Sequence, residues 1–429
     1  MIDIRRQPER AILVAVPPID EPQQEVDEHL DELARLADTA GADVVGLVVQ
    51  RRKSPHPALY IGKGKADQLR DAASRDDATL VVFDDNLSPA QGLALERRLG
   101  LRVMDRTELI LDIFALRART AEAKTQVELA QLQYLRPRLK RMWTHLSRTE
   151  GGIGARGPGE QQLETDRRLI DRRIARLRGG LEGIARSRRT RRKARSLGFG
   201  VALVGYTNAG KSSILQELSG RELFVEDRLF ATLDSATRAV DLGDGYQALI
   251  TDTVGFIRKL PHHLVASFRA TLEEVEEADL LVHVIDASSP AWERQMEAVN
   301  EVIGELGARG PVLLAFHKID QLTHDEEATL RRRVSELYDS HVLTSVRESG
   351  GLDSLRDALL ARIRAERPTV RVTLSARDGR TLAEAYREGE VLERREKGAS
   401  IELTARVPAA LVGRWRRQEG VRVTGTDAA

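Results

Sequence analysis

The sequence predicts an α/β protein with more than one core, and three observations carry that prediction. Short apolar, β-branched runs alternate with amphipathic helical stretches over residues 10–105 and again over 199–365, the pattern that builds parallel sheets flanked by helices. Between these runs the hydrophobic period changes to that of long helices. The 429 residues also exceed the roughly 250 to 300 at which a single core stops growing. These changes divide the chain into a small N-terminal α/β domain over 1–106, a helical hairpin over 107–196 with a glycine-rich tip at 151–159, a doubly wound α/β domain over 197–366 and a small α+β domain over 367–429.

In the first domain RAILVAV, DVVGLVVQ, ALYIG, TLVVFDD and LRVMD read as strands, with helices through HLDELARLADTA, KADQLRDAA and SPAQGLALERRLG. GKGK, Gly62 to Lys65, reads as a strand-to-helix turn in preference to a phosphate site. From Thr107 onward Leu116, Ala123, Val127, Ala130 and Tyr134 keep to one helical stripe, which Pro137 is expected to interrupt or kink. The stripe resumes at Leu163, Ile170, Ile174, Leu177, Leu181 and Ile184, a spacing suited to a helix paired with another. Two such arms form an antiparallel hairpin, on the order of 40 Å long at about 1.5 Å rise per residue. In the third domain FGVALVG, QALITDT, DLLVHVIDA, GPVLLAFHK and DSHVLTSV are the strands. The last domain reads as PTVRVTLSA, a helix at RTLAEAYREG, SIELTARV and a helix at PAALVGRWRRQ.

Composition narrows the function classes. With 41% hydrophobic and 31% charged residues the chain is ordinary for a globular protein, no run approaches the roughly 18 apolar residues of a membrane span, and MIDIRRQPER lacks an apolar signal region. A cytoplasmic protein is expected. The absence of cysteine excludes disulfides, thiolate metal sites and thiol catalysis, and the nine histidines show no metal-ligand spacing. The net charge of +1 hides an asymmetry: Arg117 to Arg195 holds 22 Lys and Arg against 8 Asp and Glu, or +14, which leaves −13 elsewhere. One basic segment in an otherwise acidic chain points to a polyanionic partner, most simply nucleic acid, bound with steep salt dependence.

The chemistry lies in the third domain. Gly205, Tyr206, Thr207, Asn208, Ala209, Gly210, Lys211 and Ser212 spell G-x-x-x-x-G-K-S after an apolar strand, with Ser213 continuing into a helix. That pattern wraps backbone amides around phosphates, sends the lysine to the β- and γ-phosphates and gives the serine hydroxyl to Mg²⁺. Asp252, Thr253, Val254 and Gly255 follow the strand QALIT, where a carboxylate can hold the metal shell opposite Ser212 and the Gly255 amide can bond a γ-phosphate. Thr232, in a polar loop between these elements, is the candidate to complete the metal shell. His317, Lys318, Ile319 and Asp320 form x-K-x-D, whose carboxylate accepts from guanine N1 and its amine, a donor pair that adenine lacks. Ser345 and Val346 can add backbone contacts to the base.

Together with YIGKGK and the stretch GGIGARGPGEQQLETDRR, these motifs resemble a translation-factor-class GTPase, specifically the HflX family of ribosome-associated GTPases. The likeness spans nearly all of the chain except the last 60 residues. It implies a monomeric protein that uses GTP/GDP and Mg²⁺, with Lys211, Thr232 and Gly255 as catalytic positions and Ser212, Thr232 and Asp252 as metal positions. It further implies binding to the large ribosomal subunit with the glycine-rich tip in its catalytic heart, and splitting of stalled ribosomes. Phe256 stands where many regulatory GTPases place a water-orienting glutamine, so hydrolysis is expected to be slow until a partner assists. His317 departs from the family's asparagine, which bonds guanine N7 and ties down the phosphate loop. Weaker nucleotide affinity is expected.

The basic arms offer Arg136, Arg138, Lys140 and Arg141 on one side and Arg167, Arg168, Arg172 and Arg173 on the other as RNA phosphate contacts, with Trp143 and His145 near the tip. A second reading takes Gly152, Gly154 and Gly157, with Asp171 downstream, as a dinucleotide fingerprint. It fails on context, because the preceding LKRMWTHLSRTE is helical and basic where a strand is required. A third takes the chain as an RNA-binding scaffold with a degenerate site, against which stand the intact Lys211, Ser212, Thr232 and Asp252. A ribosome-assembly GTPase shares the nucleotide motifs but leaves the hairpin unexplained.

Overall fold

A computed structural model describes residues 8–142, 158–194, 198–221, 228–243, 245–259, 261, 269–308 and 310–425. The tip up to Gly157, together with Trp143, His145 and the side chains of Lys140 and Arg141, lies outside the described residues. Contacts divide the chain into two compact units, one of Met1–Ala185, Glu226–Asp234 and Arg258–Ala270, the other of Arg186–Val225, Ser235–Ile257 and Thr271–Ala429. No helix among the described residues is long and apolar enough to cross a membrane.

In the first unit β1 (Glu9–Ala15), β2 (Ala42–Val49), β3 (Leu80–Phe83) and β4 (Arg102–Asp105) form a parallel sheet in the order β2-β1-β3-β4. Its near-continuous apolar strands pack Ala15 and Val49 on Val26 and Leu30 of α1 (Gln23–Thr39) and bury Ile12, Val14, Val81 and Phe83 against helices α2 (Lys63–Arg75) and α3 (Pro89–Leu99), as strands covered by crossover helices must. Ser88 and Gln91 close a reciprocal cap around the first turn of α3, with Pro89 at its first position. ALYIG is not a strand. The His56 ring Nδ1 accepts from the amides of Ala58 and Leu59 at 3.1 and 3.3 Å, and His56 and Tyr60 exchange backbone bonds of 2.8 Å, folding this run into a tight loop.

The first arm also differs from its pattern. It is two helices, α4 (Arg106–Arg117) and α5 (Ala121–Met142), and Leu116 at the break is 67% exposed. Thr120 makes the break by capping α5: its hydroxyl accepts from Ala123 N at 3.1 Å, while the Arg119 and Thr120 amides donate to Asp234 at 3.0 and 3.3 Å. Pro137 does not interrupt α5. The helix is held on both sides of it, by buried Tyr134 and by Arg138, which donates to Leu87 O at 3.0 Å and to Asp105 at 2.6 Å. Leu129 and Leu132 of α5 pack on Ile170, Ile174, Leu177 and Leu181 of α6 (Pro158–Ala194), so α5 buries two faces. A charge cluster closes this unit: buried Arg106 donates to Asp84 at 2.7 Å, and Arg258 and Lys259 each reach Asp84 at 3.1 Å. Against the upward push of burial, the charges of Arg106, Lys259 and Arg258 hold the Asp84 carboxyl below the usual carboxylate range.

In the second unit a six-stranded sheet runs β10-β9-β8-β5-β7-β6, from β5 (Phe199–Gly205), β6 (Ala236–Gly243), β7 (Tyr246–Asp252), β8 (Leu280–Asp286), β9 (Val312–His317) and β10 (His341–Thr344). All neighbours are parallel except β6, an antiparallel edge on β7. Val201, Leu203, Ile250, Val282 and Ala315 form the core with Ile214 and Leu215 of α7 (Lys211–Ser219). A second sheet, β12-β13-β11-β14, is antiparallel: β11 (Thr369–Ser375), β12 (Glu390–Lys397), β13 (Ser400–Arg406) and β14 (Arg422–Gly425). Its core includes Val372, Leu403, Leu411 and Trp415. The two sheets are joined at Glu390, which accepts from Tyr246 Oη at 2.6 Å and from Arg364 and Arg406 at 3.1 Å each.

Candidate nucleotide site

The loop from Gly205 to Gly210 leaves β5 and enters α7 at Lys211, the strand-to-helix context in which helix N-terminal amides face an anion. Gly205 has no room for a side chain, because a Cβ would lie 2.3 Å from Val284 O. Gly210 has φ +98°, and a Cβ there would strike the His317 ring at 2.4 Å. Lys211 is buried and donates from Nζ to Gly205 O at 3.1 Å and Tyr206 O at 2.9 Å. Burial, with the charge of Lys318, lowers its pKa to about 8, opposed by Asp252.

Ser212, on the first turn of α7, donates from its hydroxyl to Asp252 Oδ2 at 2.6 Å. Asp252 arrives from the end of β7, so two sequence motifs 40 residues apart meet at one pair of oxygens. Thr253 donates to Leu203 O at 2.7 Å, fixing the start of the second motif to β5. Val254 is buried, and Gly255 lies against Thr207 and Lys211. Phe256 is bridged to the loop by its backbone: Thr207 N donates to Phe256 O at 2.7 Å and Phe256 N to Gly205 O at 3.1 Å. Its side chain is 2% exposed and has no group to direct a water. Ala209 is buried, while Asn208 takes φ +63° and Ser213 is half-buried in α7.

The third motif braces the first. His317 ends β9, is 1% exposed, and its Nδ1 lies 3.0 Å from Thr344 Oγ1 while the opposite ring edge abuts Gly210. Burial, then the charge of Lys318, lowers its pKa to about 4, so the imidazole is neutral near pH 7. Lys318, at φ +65°, donates to Asn208 O at 2.8 Å and to Asp286 Oδ2 at 2.6 Å. Asp320 accepts from Ser345 Oγ at 2.6 Å, and the same Ser345 oxygen accepts from Arg347 N at 3.0 Å. Val346 packs against the main core.

The structure thus brings 205–213, 252–255, 317–320 and 345–346 around one end of the six-stranded sheet. Thr232 is half-buried and belongs to the other unit, where neighbouring Phe230 stacks edge-on against Phe114 at 4.8 Å between ring centroids. The sequence reading missed Asp286 and Thr344, which hold Lys318 and His317. For Asp286 a signal existed, the carboxylate that ends the apolar run LLVHVID. It also missed His283, buried on β8, whose pKa is lowered to about 4 by burial and by Lys211.

On the hairpin, Arg138 is committed to Asp105 and stacks 3.4 Å from the Tyr134 ring centroid, which removes it from the candidate RNA contacts. Arg136, Arg168 and Arg173 are each paired, with Asp171, Glu164 and Glu128. Arg167 and Arg172 are exposed, as are Arg176 and Arg178 further along α6, which the sequence reading passed over.

Residues 27–115 match the family described as GTP-binding GTPase N-terminal, 117–195 the GTP-binding GTPase Middle Region, and 200–318 the 50S ribosome-binding GTPase. Curated relatives carry the name GTPase HflX, among them the two that follow. That of Lacrimispora saccharolytica is 44% identical over 414 residues, 96% of each chain, and that of Escherichia coli strain K12 is 44% identical over 395 residues, 91% of each chain. A solved GTP-binding protein from Sulfolobus solfataricus, in complex with GDP, is 26% identical with a TM-score of 0.44, covering 82% of this chain and 98% of its own.

Proposed function

On the premise that the chain is a GTPase and belongs to the HflX family, we propose that it couples GTP hydrolysis to binding the large ribosomal subunit in the cytoplasm and to splitting stalled ribosomes. The observation that carries the catalytic half is the Ser212–Asp252 contact of 2.6 Å beside buried Lys211. A hydroxyl and a carboxylate, both hard oxygen donors, suit Mg²⁺, which keeps most of its shell as phosphate oxygens and water. Bound there, Mg²⁺ would offset charge on the phosphate oxygens.

Lys211 is the residue for the β- and γ-phosphates, and the anion would restore its proton affinity. Asp320 reads the guanine edge from a position fixed by Ser345. Thr232 and Gly255 are the γ-phosphate sensors, and a difference in affinity between GTP and GDP forms is what lets the nucleotide drive docking. With Phe256 buried and pinned, the attacking water must be oriented by a group the partner supplies, so turnover is slow alone and faster on ribosomes. The +14 segment supplies the electrostatic attraction to ribosomal RNA.

Cosedimentation with separated subunits under GTP, GDP and a non-hydrolysable analogue tests the reading. Large-subunit binding that strengthens with the GTP forms is the expected result. Binding indifferent to nucleotide, or ribosome splitting that survives Lys211→Ala, would favour the scaffold reading instead.

A further inference from the structure

We infer that the free end of the C-terminal sheet is a second RNA-contact surface, separate from the hairpin, built on Arg377, Arg416, Arg417 and Arg422. The sheet has two dissimilar ends. At one, Glu390 joins Tyr246, Arg364 and Arg406, and Arg367 lies over the Tyr246 ring at 4.5 Å. From there β11 runs seven residues to Ser375, about 20 Å at roughly 3.4 Å per residue. At that far end Gln418 donates to Thr381 Oγ1 at 2.9 Å and Asp378 Oδ2 at 3.2 Å, closing the turn after the helix Ala409–Trp415 onto the turn after β11. Arg416 and Arg417 adjoin Gln418, Arg377 adjoins Asp378, and Arg422 opens β14 opposite Thr373.

Charge pairing separates these four from their neighbours. Arg371, Arg380, Arg387, Arg394, Arg395 and Arg414 all lie within 4 Å of a carboxylate. Arg377, Arg416, Arg417 and Arg422 are exposed and have no acidic partner among the described residues. Asp378, next to Arg377, is held by Thr381 and Gln418, and Glu419, exposed between Arg417 and Arg422, forms no ion pair with any of the four. The exposed large apolar residues of this sheet and its helices, Tyr386 and Leu392, lie toward the Glu390 end in sequence, so among the described residues no exposed large apolar side chain adjoins the arginines, where a protein partner or membrane interface uses one as an anchor. Exposed guanidinium groups without acidic partners fit a phosphate backbone. The Glu390 bonds tie the other end of this sheet to the six-stranded one.

The inference rests on the ribosome reading for its choice of ribosomal RNA. The probe is deproteinised large-subunit RNA, titrated with the full chain at several KCl concentrations. R377Q/R416Q/R417Q/R422Q should bind at least about tenfold more weakly at fixed salt, with the slope of log affinity against log salt smaller by about three, since each of the four phosphate contacts contributes roughly 0.7 to 0.9. R371Q/R387Q/R394Q/R395Q removes the same charge from paired positions and should change the slope by less than one contact's worth. The all-lysine version of the first set should restore the slope. Equal loss in both glutamine sets, or none in the first, overturns the surface, as does loss on whole subunits with RNA binding intact, which would mark a protein partner. GDP affinity checks folding in every variant. Should the glutamine set fail that check, RNA crosslinks absent from 416–422 of the unaltered chain overturn the proposal. A chain that ignores ribosomal subunits altogether would sink the ribosome reading while leaving the RNA slopes to be read on their own.

Discussion

The GKGK turn at Gly62–Lys65 and the loop at Gly205–Ser212 share a glycine–lysine sequence at the start of a helix, yet the fold treats their backbones in opposite ways. At the first, Gly62 N donates to the Gln50 side chain at 2.8 Å, and Gln50 and Arg52 fill the space where a Cβ would stand. The turn's leading amide is spent inside the domain. At the second, support comes from behind: Lys211 binds two loop carbonyls, Phe256 bridges the loop backbone, and the His317 ring lies on Gly210. A phosphate loop therefore depends on how its neighbours hold it, and the letters G and K alone do not make one.

Charge deletion should separate the two turns most widely. Lys211→Ala should lower GTP turnover, read by phosphate release, by at least about 100-fold, as loss of a positioned charge at a phosphoryl site does. Lys63→Ala and Lys65→Ala should leave it within about twofold, and a comparable loss there would break the contrast.

Adding a methyl group gives the next largest difference. Gly210→Ala forces a left-handed φ and a clash with His317, so GDP affinity by calorimetry should fall about 30- to 100-fold, or about 2 to 3 kcal/mol. Gly64 sits in α2 with nothing within 4 Å of a built Cβ, and alanine there should stabilise the fold by up to about 1 kcal/mol.

Acid probes the support behind the loop. The folded pKa values of His317 and His283, about 4, lie below their ordinary 6.5, so between those values the unfolded chain binds more protons. Stability should thus fall as pH drops from 6.5 towards 4, by as much as about 3 kcal/mol for each ring. Urea unfolding at pH 7 and pH 5 reads this, and His317→Asn should flatten part of the slope. The same substitution should raise GDP affinity a few-fold, the smallest of these effects, and no gain would count against a cost for histidine at this position.

Much of this was legible in the sequence where side chains face one environment. Strands buried on both faces, such as β5, β8 and β9, announce themselves as unbroken apolar runs. β6 and β12 did not: EVLERREK is mostly exposed, ATRAVDLG buries only Val240 and Leu242, and pairing with β13 and β7 does more than either apolar pattern to make them strands. The loop motifs were readable because phosphate geometry constrains spacing. Thr344 was hidden because it supports His317 across the sheet, a relation no local pattern encodes, whereas Asp286 stood at the end of an apolar run with nothing local to say that Lys318 would meet it. The break at Thr120 depends on Asp234, 114 residues away.

Gly205 carries a consequence for how such a chain can drift. Its carbonyl accepts from both Lys211 and Phe256 N, and its missing side chain is the space occupied by Val284 O. No compensating change of a neighbouring side chain can open that space, because the obstruction is backbone. At Gly210 the obstruction is instead the His317 side chain, which repacking can move, although the positive φ remains. At Gly205 a point mutation has no second-site suppressor within the sheet, and a lineage that loses the glycine loses the loop with it.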